Sequence, residues 1–246
     1  MTRILKIMVW TAAAMLLVSG TAYADSSTKA NPKSETKSGK VLLKNSYDYL
    51  GALGKYAFTV NVINTVTNDG ESVITKRVAK VKVHRPDKFR IDSKNEAINR
   101  TLYLSDGTFV MMDNQEKYYA KVDAPKDIDK TLEEINRRLG IRVPLSTFLH
   151  SDMGKYIHPK KVFYFGTVDI SGVACDYIAF KQGNTDVHLW IEDSNTPVVR
   201  SAKIITKKNG TTDMVLKWDT APGFSDDVFV FNAPEDASNI SVRPVE

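Results

Sequence analysis

Apolar and polar residues alternate with a period of two along most of the chain after residue 57. Short segments rich in Asn, Asp, Gly and Pro, such as Asn68-Asp69-Gly70 and Ser105-Asp106-Gly107, separate the alternating runs. This combination predicts β-strands joined by tight turns, which together form an antiparallel meander. We predict eleven strands, over residues 58–66, 72–84, 89–91, 99–104, 108–112, 117–122, 162–168, 173–180, 187–191, 198–206 and 214–218.

Helical spacing replaces the alternation in two regions. Apolar residues at Leu43, Tyr47 and Leu50 recur at steps of three and four, which predicts a short amphipathic helix before the first strand. In the middle of the chain, residues 128–139 carry one apolar stripe that ends at Gly140, as expected of a second helix. A third helix is predicted to follow around residues 145–149 and to stop near Gly154, so that a helical pair is inserted between the sixth and seventh strands.

Several predicted strands are apolar on both faces. In one of them, Phe109 and Met111 share one side while Val110 and Met112 share the other. A sheet with one face in water would alternate more cleanly, so something must cover the second face. The candidates are the inserted helices, a sheet curled around its own interior, or a ligand. The residues alone favour a well-filled β core over a lined cavity.

The first 24 residues have the pattern of a secretory signal peptide. A short cationic start precedes an apolar run over residues 7–18, and Ala22-Tyr23-Ala24 supplies a small-x-small cleavage pattern. The apolar run is shorter than the roughly 20 residues of a membrane-spanning helix. We therefore expect cleavage after Ala24, a periplasmic protein, and a mature chain that does not span the membrane.

Beyond the cleavage site, residues 25–40 contain no large apolar residue and are predicted to be a disordered tail. Residues 41–246 remain as a single predicted domain. The only cysteine is Cys175, so no intramolecular disulfide can form and no cysteine follows the cleavage site to carry an N-terminal lipid. Loss of Arg3 and Lys6 with the signal peptide lowers the formal charge from +5 to +3, and this small excess gives no reason to expect nucleic-acid binding.

Sequence motifs of catalysis and metal binding are missing. There is no G-x-S-x-G, H-E-x-x-H, C-x-x-C or glycine-rich phosphate loop. The histidines do not have metal-ligand spacing, and a cysteine inside a predicted strand is expected to be an inert buried thiol. We therefore expect no enzymatic activity, no metal and no cofactor. The histidines are His84, His150, His158 and His188.

Several segments are more specific in combination than any one of them alone. They include H-R-P-D-K-F-R-I-D at 84–92, G-V-A-C-D-Y-I-A-F-K-Q-G at 172–183, L-W-I-E-D-S-N-T-P-V-V-R at 189–200, and W-D-T-A-P-G-F-S-D-D-V-F-V-F-N-A-P-E-D-A at 218–237. Together they resemble a family of predicted periplasmic proteins of unknown function that belongs with the LolA/LolB-type lipoprotein carriers. The resemblance spans about residues 45 to 242.

The resemblance implies a mainly β fold with some α (α+β). Its expected form is an antiparallel sheet of about eleven strands, curled into an open half-barrel with a helical lid. Such a half-barrel holds acyl chains in the carriers, so the resemblance favours a lined cavity over a filled core. It implies a soluble periplasmic protein that binds lipid or lipoprotein acyl chains. The alternative is a non-transporting interaction or sensor domain of the same fold that regulates an envelope protein partner.

Large aromatic and flexible methionine side chains suit the wall of an acyl-binding cavity. The resemblance places such a wall on the inside of the half-barrel, but the assignment of each residue to the inside depends on strand register. The candidates for the wall are Tyr103, Phe109, Met111, Tyr119, Phe165, Phe180, Trp190 and Trp218.

Overall fold

The computed structural model describes residues 37–206 and 210–243. The predicted signal peptide and the predicted tail up to residue 36 lie outside the described residues. The first helix, α1 (Gly39–Ala52), includes the last two residues of the predicted tail. Lys37, just before it, donates to the carboxylate of Asp176 at 2.9 Å and forms an ion pair with Asp193, which fixes the start of the helix to the sheet.

Within the described residues, twelve strands form one open sheet in the order β12-β6-β5-β4-β3-β2-β1-β11-β10-β9-β8-β7. All neighbouring strands are antiparallel except β12 and β6, and the two ends of the order do not pair with each other. The eleven predicted strands are confirmed, and β12 was not predicted. The strands are β1 (Lys55–Asn68), β2 (Glu71–His84), β3 (Lys88–Lys94), β4 (Asn99–Ser105), β5 (Thr108–Asp113), β6 (Tyr118–Asp123), β7 (Val162–Ile170), β8 (Val173–Gln182), β9 (Thr185–Glu192), β10 (Val199–Thr206), β11 (Gly210–Asp219) and β12 (Ser238–Asn239).

The predicted central helix is confirmed as α2 (Ile128–Leu139). The Asp127 side chain accepts a hydrogen bond from the backbone N–H of Lys130 at its start, which satisfies one of the free N–H groups of a helix N-terminus. Gly140 ends the helix with a φ of 66°, in the left-handed region that glycine adopts without strain.

The predicted third helix is wrong. Two single 3₁₀ turns, Ser146–Phe148 and Met153–Lys155, lie in the segment between α2 and β7. A continuous helix would need its backbone carbonyl oxygens for the internal hydrogen-bond ladder. Here the carbonyl oxygens of residues 148–150 accept hydrogen bonds from the side chains of Tyr56, on β1, and Arg85, in the turn after β2, instead. We call residues 141–160 the covering segment.

The inner face of the sheet carries the main core. On β1 the inner residues Tyr56, Phe58, Val60 and Val62 are all buried. The apolar stripe of α2 packs into the same core, which fills the half of the inner face formed by β3 to β6. The largest fully buried side chains of this half are Phe89, Ile91, Leu104, Phe109, Ile128 and Ile135.

The outer face of β4 to β6 is covered by the C-terminal part of the chain. Phe231 contacts Tyr103 and Tyr119, with ring centroids 5.4 Å and 5.0 Å apart. Val110 and Met112, which made the predicted strand apolar on both faces, are buried on this side. The second apolar face is therefore covered by the protein's own C-terminal segment, through residues 224–240.

We expect Phe229→Ala to lower the free energy of unfolding by about 3–5 kcal/mol, the usual effect of removing a buried aromatic ring. Phe229 is 1% exposed, whereas its neighbour Val230 is 51% exposed. Val230→Ala is the matched control and should change stability by no more than about 0.5 kcal/mol. Urea unfolding of both variants measures the difference, and equal effects would contradict the assigned packing.

Candidate ligand-binding cavity

A cavity of about 430 Å³ lies between the inner face of the sheet, helix α1 and the covering segment. Its volume falls within the range of about 300–1,000 Å³ that is typical of small-molecule sites. Most of its wall is apolar. The sheet contributes Phe180, Val187, Leu189, Ile204, Met214 and Trp218 among others, and the covering segment contributes Leu145, Phe148, Met153 and Ile157.

Strand register places these side chains on one face. Leu189 pairs with Ala202, Ala202 pairs with Met214, and Met214 pairs with Val62. All four residues line the cavity, so they form one row across β9, β10, β11 and β1. Because side chains alternate along a strand, a shift by one residue would turn the whole row to the outer face.

An aromatic cluster closes one end of the cavity. The Trp218 ring lies 4.5 Å from Phe58 and 5.8 Å from Phe148, measured between centroids. The indole N–H of Trp218 donates to the carbonyl oxygen of Val199 at 2.7 Å, so its polar atom is satisfied while its ring faces the cavity. Phe148 thereby connects the covering segment to the sheet.

Hydrogen bonds to backbone carbonyl oxygens hold the covering segment in place. Tyr56 donates to the carbonyl oxygen of Phe148 at 2.6 Å. Arg85 donates to the carbonyl oxygens of Leu149 at 2.7 Å and His150 at 2.9 Å, and also to the Tyr56 hydroxyl at 3.1 Å. Burial raises the pKa of Tyr56, so its phenol remains a neutral donor.

A second connection joins the covering segment to α2. The Asp129 carboxylate lies 2.7 Å from Nδ1 of His150 and accepts from the backbone N–H of Ser151 at 3.1 Å and from the Ser151 hydroxyl. Burial alone would raise the pKa of Asp129, but the hydrogen bonds from Ser151 and His150 outweigh it and hold the pKa below its ordinary value. The carboxylate is therefore bound in its ionised form.

Three cavity-lining residues carry buried polar atoms without a hydrogen-bond partner among the described residues. These atoms are the hydroxyl of Tyr47, Nε of Arg77 and Oε1 of Gln182. Burial raises the pKa of the Tyr47 phenol, so this group is also neutral. The Gln182 amide donates to the carbonyl oxygen of Tyr156 at 2.6 Å, which leaves its own oxygen to accept from elsewhere. The cavity thus combines an apolar wall with a few unused polar groups.

Two of the eight sequence-predicted residues, Phe180 and Trp218, line the cavity. Phe109 and Met111 also lie on the inner face, but in the half filled by the core. The other four are on the outer face, because the alternation of the strands points them away from the core. Tyr103 and Tyr119 pack against Phe231, while Phe165 and Trp190 stack on the two sides of Tyr177.

Sequence reasoning missed the aliphatic part of the wall because it selected aromatic residues and methionines. On β9 the predicted wall residue was Trp190. The cavity uses the other side, through Val187 and Leu189. The signal that could have found them is the alternation along the strand, which puts these two residues on the same side as Ile191. Ile191 is buried in the core. Arg77 gave no sequence signal of its own, since it lies in a run of exposed residues.

Cys175 is a free, fully buried thiol on β8. Burial raises its pKa to about 11, so it is protonated at neutral pH. In the part of the chain that the structure describes, no group of three or more His, Cys, Asp and Glu side chains could hold a metal ion. Neither helix of this part combines the length and the apolar character that a transmembrane helix requires.

The fold and the cavity define an open half-barrel, mainly β, with a covered apolar cavity on its inner face. Residues 39–243 match the family of predicted periplasmic proteins DUF2092, and the chain belongs to this family. No curated protein sequence matches it.

Solved structures with a similar fold include an uncharacterised conserved protein from Thermus thermophilus, which is 10% identical with a TM-score of 0.48 and covers 82% of this chain and 97% of its own. LprF from Mycobacterium bovis is 14% identical with a TM-score of 0.45, covering 81% and 97% of the two chains. A LolA superfamily protein from Nitrosomonas europaea is 10% identical with a TM-score of 0.33, covering 80% and 99%.

Replacing Arg85 by Met should loosen the covering segment. The variant loses charge-assisted hydrogen bonds to two carbonyl oxygens, and we expect the free energy of unfolding to fall by about 2–3 kcal/mol. Relative to the wild type, hydrogen exchange measured by mass spectrometry should accelerate more in residues 141–160 than in β1. Lys181→Met is a suitable control because Lys181 forms an exposed ion pair with Asp186, away from the covering segment. Unchanged exchange in the covering segment would show that Arg85 does not hold it.

The hydrogen bonds between Asp129 and the covering segment predict that the free energy of unfolding depends on pH. At neutral pH, Asp129→Asn should reduce the free energy of unfolding by about 1–3 kcal/mol. The folded-state pKa of Asp129 lies below its unfolded value of about 3.9, so this contribution is fully present above that value and is lost as the pH falls through the folded pKa.

Urea unfolding of the wild type and Asp129→Asn, from neutral pH down to about pH 3, should therefore show two curves that converge in acid. Asp48→Asn is the control, because Asp48 forms an exposed ion pair with Lys44 within one helix. If the unfolding free energies of the wild type and Asp129→Asn differ by the same amount over the whole pH range, the proposed role of the Asp129 charge is contradicted.

Proposed function

We propose that this protein is a periplasmic binding protein that holds a lipid, or the acyl chain of a lipoprotein, in the cavity beneath the covering segment. Its role is binding rather than catalysis. The observation that carries the proposal is the apolar cavity between the sheet, α1 and the covering segment. Membership of a family described as predicted periplasmic proteins supports the location.

The energetics of an acyl chain fit such a site. A chain of about 14 to 16 methylenes, at about 0.8 kcal/mol each, costs on the order of 10 kcal/mol to leave in water. A carrier or storage protein must bury most of this surface. We propose Phe180 and Trp218 as ligand contacts, together with the aliphatic row formed by Leu189, Ala202 and Met214.

A second cleft beside the cavity supports a route by which a long acyl chain reaches the cavity. It lies between α1 and residues 151–159 and has a volume of about 710 Å³. Tyr47, Met153 and Ile157 line both the cavity and this cleft, so their side chains lie between the two spaces. Because the unbranched methionine side chain is flexible, we propose that an acyl chain passes beside Met153.

A non-transporting interaction domain of the same fold is the second candidate function. It is favoured by exposed aromatic residues on the edge strand β7, where Phe163 and Phe165 are both 57% exposed. Phe165 begins a stack that continues through Tyr177 to Trp190, with ring centroids 4.8 Å apart at each step. An exposed apolar strand at the edge of a sheet is a common site of protein contact.

Gentle purification of the mature protein from the periplasm, followed by lipid extraction and mass spectrometry, should detect co-purified acyl lipid. The delipidated protein should bind a fluorescent fatty acid. Ala202→Phe inserts a ring into the cavity wall and displaces a few methylenes of the chain, so we expect at least a roughly tenfold loss of affinity.

Lys203→Phe is the matched control, since Lys203 is the next residue of β10 and forms an exposed ion pair with Asp213 on the outer face. It should bind the fatty acid as the wild type does. Clean protein without lipid, combined with no binding of the fluorescent fatty acid, would reject the carrier proposal. Stable capture of an envelope protein by the lipid-free chain would then favour the interaction domain.

A further inference from the structure

Along the strands that line the cavity, the side chains on the inner face become more apolar in one direction. On β11 the inner positions are Thr212, Met214, Leu216 and Trp218, in that order. On the neighbouring strand they run from Asn64 through apolar residues to Phe58. The same order holds on β8, followed back from its end at Gln182 to Phe180 and Ile178. It also holds on β9, which begins at Thr185 and continues with Val187 and Leu189.

These polar positions lie at the same end of the sheet. Gln182 pairs with Thr185 next to the turn between β8 and β9. Thr212 lies close to the start of β11 and pairs with Asn64, near the turn between β1 and β2. We call this end of the cavity the turn end. Its residues are all partly exposed, whereas the opposite end is closed by the aromatic cluster around Trp218.

Arg77 is the only charged side chain on the cavity wall formed by the described residues. It pairs with Val62 across β1 and β2, one step in from Asn64, and therefore lies on the inner face near the turn end. Its neighbours along the strand, Lys76 and Val78, point to the outer face and are exposed. No hydrogen bond or ion pair to Arg77 is formed by the residues that the structure describes, and its Nε is buried.

Nε of Arg77 is buried beside an apolar cavity without a partner, and a buried donor that has lost its water without gaining an acceptor is costly. Buried polar groups in native proteins are nearly always satisfied, and each exception needs a reason. Three of the five unsatisfied buried atoms in the described residues belong to this one cavity, through Tyr47, Arg77 and Gln182. The other two are in Arg85 and Arg138, whose guanidinium groups donate through other nitrogens.

We propose that the ligand is an amphiphile with an anionic polar group, which Arg77 binds at the turn end while the hydrocarbon chain extends towards Trp218. This inference rests on the proposed lipid-binding function and adds the charge and the orientation of the ligand. A carboxylate or a phosphate accepts hydrogen bonds from a guanidinium in the same planar geometry, so both fit. The neutral hydroxyl of Tyr47 and the amide oxygen of Gln182 can bond to further polar atoms of the same headgroup.

The charge is tested with ligands that share one chain length and differ in the polar group. Hexadecanoate, hexadecyl phosphate and the neutral hexadecanol compete with a neutral fluorescent acyl probe on delipidated mature protein. A hydrogen-bonded charge contributes about 1.5–3 kcal/mol, so the wild type should bind the two anions at least roughly tenfold more tightly than the alcohol.

Arg77→Met should abolish this preference by weakening the anions at least roughly tenfold, while the affinity for hexadecanol stays within about twofold of the wild type. Its melting temperature should equal or exceed that of the wild type, because the substitution removes an unpaired charge. Lys76→Met, which changes an exposed charge on the outer face, is the control and should keep the preference.

Equal affinity of the wild type for the anions and the alcohol would overturn the role of Arg77 and leave the lipid-binding function standing. No binding of any of the three ligands would overturn both. Displacement of the probe by inorganic phosphate alone would also count against the inference, because the anion would then bind without an attached chain.

The orientation is tested by fluorescence quenching. Trp190 lies on the outer face, so in Trp190→Phe the mature protein keeps Trp218 as its only tryptophan. A fatty acid brominated near its methyl end should quench Trp218 more strongly than one brominated near its carboxylate. The reverse order would show that the headgroup lies at the aromatic end and would reject the proposed orientation.

Discussion

A single sheet that is apolar on both faces must have both faces covered, and the rest of this structure depends on how that is achieved. The C-terminal segment covers the outer face with Phe231 over β4 and β6 and with the turn that ends at Phe229 over β3 and β4. On the inner face, α2 packs against one half, whereas α1 and the irregular covering segment lie over the other half. The half under α2 is filled by the core, and the other half contains core residues and the cavity side by side. The face that stabilises the fold therefore also provides the space for binding.

Most of the fold follows from local signals, because period-two alternation and turn residues act within ten residues or so of each other. The strands and α2 were predictable for that reason. The C-terminal cover was not, since Phe231 lies in an irregular segment and its partners, Tyr103 and Tyr119, are more than a hundred residues away. The failed helix has a similar cause. Nothing near residues 145–149 shows that Tyr56 and Arg85 use the carbonyl oxygens that a helix would need.

The cavity wall was harder to predict than the fold, because residue type does not determine which face of a strand a side chain occupies. Trp190 and Leu189 are adjacent and both apolar, yet only Leu189 faces the cavity. The register of the whole sheet decides this, and register becomes certain only when all the strands are paired. Phe180 and Trp218 do line the cavity, since both lie on the same side of their strands as buried neighbours. A charged residue such as Arg77 has even less local signal, because a cation in a strand is usually on the solvent side.

The covering segment combines a sheltered apolar cavity with access for a ligand. Apolar side chains that line an unfilled space lose packing contacts on that side, so leaving the cavity empty is unfavourable. A protein can sustain such a site if an occupant fills it or if its cover can close inwards. The cover here is joined by a few side chains that bind its backbone, Tyr56, Arg85 and Asp129, and has no regular ladder of its own. A shift of this segment breaks single hydrogen bonds and displaces a few buried side chains, such as Phe148 and Leu149, whereas a shift of α2 would displace a whole helix from the core.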